Sequence, residues 1–251
     1  EFRRKDFWII AAKTETKTKA PLTLTCVENP EKEARAAEIL KMAREGVWKV
    51  KDIEETSVKR AAYAPFITST LQQAASNRLG LAPARAMRIA QSLYESGHIT
   101  YMRTDSTTLS LTAQKEITDF VKKKYGAEYS SPKIYKTKSK SAQEAHEAIR
   151  PTHISKESAG GTPEQKRLYE LIFKRAIASQ MSDAKITRTK IVASSGGNDS
   201  SAMPDFAANG ARTEFFGWLK ADPEAKGDDV ELPKVARGES LRLIEVTSEK
   251  K

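Results

Sequence analysis

The chain has 251 residues, of which 39% are hydrophobic and 30% charged, and its formal net charge is +10 at pH 7. This length suits one large or two ordinary domains with a buried core. With no long apolar run and no secretory signal, the sequence argues against a membrane or an exported protein, and we expect a cytoplasmic one. The abrupt opening EFRRKDFW, without an initiator methionine, predicts a piece of a longer protein.

The first sixty residues are expected to form strands around one helix. Residues 7–28 carry two apolar alternations separated by a charged turn, which is typical of paired strands. Residues 29–46 then predict a helix, with Asn29 as the N-cap and Pro30 in the first helical position. Residues 47–60 return to a strand pattern.

The middle of the chain is expected to be helical. Apolar residues recur at helical spacing in 68–79 and 83–96, with a turn at Gly80 between them and an extended stretch after Gly97. This order is typical of a helix-turn-helix unit followed by a wing. Three more helices are predicted over 111–126, 142–150 and 162–181.

A strand pattern resumes at residue 184, and Asn209–Gly210 predicts a hairpin turn within it. The sequence therefore predicts an α+β multidomain protein. Residues 1–60 and 184–251 would form a discontinuous β domain, and residues 61–183 an inserted, mainly helical domain of helix-turn-helix or winged-helix type.

The positive charge is concentrated in the predicted helical domain. Residues 61–183 hold 18 Lys and Arg against 11 Asp and Glu, whereas the remaining residues hold 25 against 22. A basic balance of this kind predicts a polyanion partner, most simply nucleic acid, although solubilising lysines would give the same balance.

The sequence predicts no disulfide and no structural metal. Its single cysteine, Cys26, lies in a strand-like pattern and is expected to be buried, in keeping with a reducing compartment. The three histidines, His98, His146 and His153, show no zinc-like spacing with it.

Two motifs could carry chemistry. In the extended stretch ITYMRTDS (99–106), Tyr101 and Arg103 share one face while Met102 points inward. Tyrosine ionises near pH ~10, and a neighbouring guanidinium would stabilise both a developing phenolate and a phosphoryl transition state. In SAQEAHEAIRPT (141–152), a helix would place His146 and Arg150 on one face, where both could bind a phosphate. An exposed Tyr–Arg stack and a mixed-charge surface helix are the ordinary alternatives.

These two motifs resemble those of the bacterial type IA DNA topoisomerases. APFITSTLQQ (64–73) and LQQAASNRLGLAPARAMRIAQSLYE (71–95) precede the tyrosine motif in family order, and FFGW (215–218) is similar to the family's second β segment. The resemblance spans almost the whole chain, and is weaker in the β segments.

The resemblance implies that Tyr101 breaks one DNA strand and holds its 5′ phosphate, while Arg103 stabilises the scissile phosphate and His146 contacts the strand near the cleavage site. It further implies a set of residues near the active site or along the single-strand path. These are Gln91, Glu95, Thr100, Asp105 and Arg150.

The resemblance also implies what this chain lacks. The family's acidic Toprim domain, which supplies a glutamate and a D-x-D pair for Mg²⁺, has no counterpart here, nor do the flanking DNA-binding domain and the zinc ribbons. The chain would thus be the arch of an enzyme of the bacterial nucleoid, inactive alone, with its missing domains and DNA, preferably single-stranded, as partners.

Three other interpretations were weighed. A winged-helix DNA-binding module without catalysis would use Arg78, Arg85 and Arg88, and it is the main alternative. A site-specific tyrosine recombinase is disfavoured, because its H-x-x-R pair precedes the tyrosine. A hinge role for the β domain is compatible with the topoisomerase interpretation.

Overall fold

A computed structural model describes residues 6–135, 147–196 and 203–251 of the chain. The chain divides into two compact units. The barrel unit comprises Glu1–Val58, Ile186–Thr213 and Asp228–Lys251, and the helical unit comprises Lys59–Lys185 and Glu214–Gly227. The predicted mixture of helices and strands is confirmed.

Six strands close into a barrel in the order β1-β2-β5-β4-β3-β6. They are β1 Trp8–Glu15, β2 Pro21–Cys26, β3 Trp48–Arg60, β4 Ala184–Ser194, β5 Phe206–Phe215 and β6 Ser240–Lys250. β1 pairs antiparallel with both β2 and β6, which joins the two ends of the sequence. Burial alternates strictly along β2, where Leu22, Leu24 and Cys26 are buried and Thr23 and Thr25 are exposed.

Helix α1, Glu33–Glu45, contributes Ala36, Ile39 and Ala43 to the core of the barrel unit. The Trp48 indole N–H donates to the Ala43 carbonyl at 2.9 Å, and so ties the start of β3 to the end of this helix.

Two local predictions in the barrel unit are wrong. Helix α1 begins at Glu33 rather than after Asn29, since the Pro30 carbonyl accepts a hydrogen bond from the Trp8 N–H at 2.9 Å. Asn209–Gly210 lies inside β5 and forms no turn. A Cβ on Gly210 would come within 2.6 Å of the Val230 carbonyl oxygen, so this glycine serves a close backbone approach.

The helical unit is built from α2 Thr68–Leu79, α3 Pro83–Glu95, α4 Leu111–Tyr125 and α5 Pro163–Ser179. Their apolar faces form one core. The segment Glu214–Gly227 belongs to this unit, although the sequence placed it with the β domain, because Trp218, Leu219 and Ala221 are buried in the same core.

Helices α2 and α3 meet at Gly80, whose φ of 67° is the left-handed conformation that glycine favours. Gly97, with φ 70°, ends the turn after α3 and sends the chain into the extended stretch. Between residues 61 and 183 the described residues form isolated β-bridges and no strand, so the wing stays a prediction.

None of the helices in the described ranges combines the length and the apolar character needed to cross a bilayer.

Candidate active site around Tyr101

The stretch that carries Tyr101 alternates between exposed and buried side chains. Tyr101 and Arg103 are exposed, with 40% of Tyr101 accessible, whereas Met102 and Thr104 are 1% and 7% accessible. The predicted exposure of the tyrosine and the arginine, with Met102 inward, is confirmed. Asp105 continues the exposed series.

Thr68, the first residue of α2, is hydrogen-bonded to the backbone of this stretch. Its hydroxyl lies 2.8 Å from the Met102 carbonyl oxygen and 3.0 Å from that of Thr104, and it accepts from the Thr104 N–H at 2.9 Å. The Thr68 N–H also donates to the Thr104 carbonyl at 2.9 Å. The backbone on both sides of Arg103 is therefore anchored to one threonine.

The second motif holds the same stretch from its other end. Thr100 N–H donates to the Arg150 carbonyl at 2.9 Å, and the Thr100 hydroxyl donates to the Ala148 carbonyl at 2.7 Å. Ile99 and Pro151 form an antiparallel bridge beside them. Two motifs that are some fifty positions apart in the sequence are thus brought together by backbone pairing.

Thr100 is therefore a structural connector, and its hydroxyl is already engaged by protein groups. The predicted helix over 142–150 is wrong for residues 147–150, which are extended and pair with neighbouring segments. His146 lies outside the described residues.

Arg150 is committed to an intramolecular ion pair. Its guanidinium contacts the Glu147 carboxylate at 2.6 Å and donates to the Pro151 carbonyl at 2.9 Å, and only 13% of its side chain is accessible. Burial alone would raise the pKa of Glu147, but hydrogen bonds from Ser110 and Arg150 outweigh it and hold that pKa below its usual range. The structure places Arg150 as a support for the motif.

A second tyrosine lies against Tyr101. The Tyr94 ring meets the Tyr101 ring edge-on, with their centroids 5.3 Å apart, and both rings are 40% accessible. Gln91 and Glu95, joined by a 2.7 Å hydrogen bond, lie three residues before and one after Tyr94 on α3. Helical spacing makes Gln91 a surface neighbour of both Tyr94 and Glu95 on α3.

Sequence reasoning missed Thr68 and Tyr94. No local signal in the sequence shows that the Thr68 hydroxyl binds a segment more than thirty residues away. Tyr94 is part of the amphipathic pattern of α3, and only the turn at Gly97 brings Tyr101 back to it.

The described residues do not suit a metal ion. They contain no group of three or more His, Cys, Asp or Glu side chains placed to hold one. Cys26 is buried in the barrel unit, and its burial raises the pKa of the thiol, which disfavours a thiolate ligand.

The whole chain, residues 1–251, matches the sequence model of a family described as DNA topoisomerase. The chain belongs to the bacterial type IA DNA topoisomerases. It is 46% identical over 212 residues to DNA topoisomerase 1 of Streptomyces coelicolor, an alignment that covers 79% of this chain and 22% of that protein. DNA topoisomerase 1 of Pasteurella multocida is 36% identical over 261 residues, covering 99% of this chain and 29% of that protein.

A solved structure agrees with these sequence relationships. Full-length topoisomerase I from Thermotoga maritima superimposes with a TM-score of 0.79 at 29% identity, over 100% of this chain and 41% of that one. The topoisomerase fold is therefore shown for the chain as a whole. Against its curated relatives, the chain spans between about a fifth and three tenths of their length.

Proposed function

We propose that the protein to which this chain belongs relaxes negatively supercoiled DNA by breaking one strand, passing another through the gap and rejoining the ends. The observation that carries this proposal is the exposed Tyr101–Arg103 face on a backbone anchored by Thr68. Family membership supports the proposed reaction class, and the exposed, anchored tyrosine supports Tyr101 as the proposed nucleophile.

The chemistry exchanges one phosphodiester for another. The Tyr101 Oη–P bond forms as the P–O3′ bond breaks, the phenol proton is lost, and the released 3′ oxygen gains a proton. The 5′ phosphate stays on the tyrosine until the 3′ hydroxyl attacks and reverses the step. Because the bonds made and broken are of the same kind, no ATP is needed.

Arg103 shares the exposed face of Tyr101, where its permanent charge would offset charge on the phosphoryl oxygens in the transition state. His146 is proposed to contact the strand near the cleavage site. Gln91 and Glu95 would line the single-strand path on α3, and Asp105 would lie at its edge.

For Thr100 and Arg150 we propose a positioning role in place of direct contact with DNA. Both are engaged in hydrogen bonds that join the two motifs, so they would act on DNA through the position of Tyr101 and not through direct contact.

Magnesium is proposed for the parent enzyme only. Since the described residues do not form a cation site, its ligands would come from a Toprim domain outside this chain, and no step is assigned to the metal here. The gate motion about the β arch, and a nucleoid location, belong to the same proposal.

The alternative is a winged-helix module that binds DNA without catalysis. Two of the three arginines that it would use are paired within the protein: Arg78 with Asp222 and Glu224, and Arg85 with Glu164. Arg88 alone of the three is exposed without an ion pair in the described part of the chain. This distribution favours the topoisomerase proposal.

The test is Tyr101→Phe in the full-length protein, incubated with Mg²⁺ and a labelled single strand. Loss of the phenolic oxygen should abolish the covalent protein–DNA adduct on denaturing gels, while strand binding by gel shift stays within about twofold, because the ring is retained. Tyr94→Phe is the matched control and should still form the adduct. An adduct with Tyr101→Phe refutes the proposal, whereas a binding module would show no adduct with either variant or with the parent.

A further inference from the structure

The helical unit contains a continuous series of guanidinium groups and aromatic rings, none of which has a role in the proposed cleavage reaction. We call it the cation–aromatic cluster; its members are Arg60, Tyr63, Phe66, Arg175 and Trp218. The Arg175 guanidinium lies 4.3 Å from the Phe66 ring centroid and 4.8 Å from that of Tyr63. The Tyr63 and Trp218 rings meet edge-on at 5.6 Å, and Arg60 lies 5.3 Å over Trp218.

Arg175 carries a charge that its immediate neighbours do not neutralise. In the part of the chain that the structure describes, no carboxylate is at ion-pair distance from it, and its hydrogen bonding is limited to a long contact of 3.5 Å with the Ala64 carbonyl. A guanidinium has five N–H donors, so most of those of Arg175 are not used by described groups.

Burial makes an incompletely paired Arg175 guanidinium energetically unfavourable. Desolvation lowers the pKa of Arg175, and the charge of Asp222 only partly opposes this effect. Asp222 is itself held by both terminal nitrogens of Arg78, at 2.6 and 2.9 Å. A partly buried cation is normally matched by a hydrogen-bonded anion, and none of the described residues supplies one to Arg175.

Tyr63 is the most solvent-accessible aromatic residue of the cluster. It is 53% accessible, whereas Phe66 and Trp218 are 0% and 1% accessible. Exposed aromatic rings beside arginines are the arrangement on which single-strand binding proteins stack unpaired bases, with the cations near the backbone phosphates.

We propose that Tyr63 and Arg175 form a subsite for one nucleotide of a single strand, with the base stacked on Tyr63 and a flanking phosphate bound by Arg175. The subsite goes beyond the cleavage site and rests on the proposed function only in taking single-stranded DNA as the ligand. Arg60 adds a second cation at the other end of the cluster.

The subsite lies close enough to the cleavage site to act on the same strand. Thr68 is five positions after Tyr63, and even a fully extended chain of that length spans at most about 18 Å. Thr68 in turn binds the backbone on both sides of Arg103.

The test measures binding of the 251-residue chain to a fluorescein-labelled oligo(dT) of about 12 nucleotides by fluorescence anisotropy at about 50 mM salt. Tyr63→Ala should raise the Kd by about tenfold, the lower range for loss of one base–aromatic stack. Tyr63→Phe keeps the ring and should change the Kd by less than about twofold. Arg175→Lys should weaken binding as well, because an ammonium lacks the planar fork.

The matched control is Arg167→Ala, which removes an exposed arginine from the same helix, α5, outside the cluster. Thermal melts followed by circular dichroism check that each variant is folded, and the Tyr63 variants decide the matter should Arg175→Lys fail to fold. The subsite is overturned if Tyr63→Ala and the unchanged chain bind oligo(dT) with equal affinity. It is also overturned if the unchanged chain binds a paired duplex as tightly as it binds oligo(dT). Absence of any oligo(dT) binding by the unchanged chain overturns it too.

Failure of this subsite and failure of the proposed function give different results. Loss of adduct in full-length Tyr101→Phe together with unchanged binding by Tyr63→Ala would reject only the subsite. Weakened binding by Tyr63→Ala with an adduct persisting in Tyr101→Phe would reject only the assignment of the nucleophile.

Discussion

Residue type alone did not determine what the charged side chains of the second motif do. Arg150 has the chemistry of a phosphate ligand, yet the structure gives its donors to Glu147 and to the Pro151 carbonyl. Glu147 also accepts from the Ser110 N–H at 2.6 Å, and thereby ties the start of α4 to the motif beside Tyr101. A single ion pair therefore supports the geometry of the candidate active site.

This ion pair predicts a pH-dependent stability. The pKa of Glu147 is lower in the folded chain than its usual value of about 4.3, so its contribution is present above pH ~4.3 and is lost as the pH falls through the folded pKa. Glu147→Gln should lower the free energy of unfolding by about 1–2 kcal/mol near neutral pH. The difference from the unchanged chain should shrink toward zero in acid, as measured by urea unfolding across that range.

Glu157→Gln provides the control for this measurement. Glu157 pairs with Lys124 in the same unit, but 53% of its side chain is accessible, so its loss should cost less than about 0.5 kcal/mol. A pH-independent effect of Glu147→Gln would show that the variant acts through packing and not through ionisation.

At the scale of elements, the start of one helix fixes the position of the candidate nucleophile. Thr68 combines an ordinary place at the first position of α2 with hydrogen bonds to Met102 and Thr104. Arg103 lies between these two residues and Tyr101 directly precedes them, and both side chains are exposed. We infer that α2 is a rigid base for the reactive stretch.

Thr68→Val tests this role in the full-length protein. The substitution keeps the shape of the side chain but removes its hydroxyl, so the reactive stretch should lose its anchor and the rate of adduct formation should fall by about tenfold or more. Strand affinity should change little, because Thr68 is beneath the exposed face. Thr68→Ser restores the hydroxyl and should recover most of the rate; a slow Thr68→Ser would indicate that the methyl group, and not the hydrogen bonds, is what matters.

At the scale of the whole molecule, the chain corresponds to less than a third of the length of its curated relatives. It carries the candidate nucleophile, while its described residues form no cation site. We expect the activity proposed for the parent to require further segments of the kind that those longer relatives contain.

We expect the purified 251-residue chain alone not to relax supercoiled plasmid DNA, with or without Mg²⁺, as judged on agarose gels. Adding the remaining N-terminal part of the protein, with Mg²⁺ and a single strand, should produce a covalent adduct on Tyr101. Relaxation by the chain alone would contradict the assignment of the metal ligands to another domain. Tyr101→Phe in the mixture controls for adducts on other residues.

Local patterns were enough to predict helices α1 to α5 and most strands, because amphipathic periods and glycine stops act over a few neighbouring residues. The sequence also identified the family, since ITYMRTDS and the motifs around it are contiguous in the chain. The exposure of Tyr101 and Arg103 on either side of the buried Met102 agrees with the two-residue alternation expected for this stretch.

Which distant groups meet could be learned only from the three-dimensional structure. The local sequence pattern of one segment does not indicate which other segment it contacts. Examples are the contacts of Thr68 with Met102, of Tyr94 with Tyr101 and of Arg175 with Tyr63. Gly210 was predicted as a turn from its neighbours and proved to serve the approach of Val230. Such contacts depend on how whole elements pack. The free energy that selects them is distributed over the buried core, so no short stretch of sequence determines them.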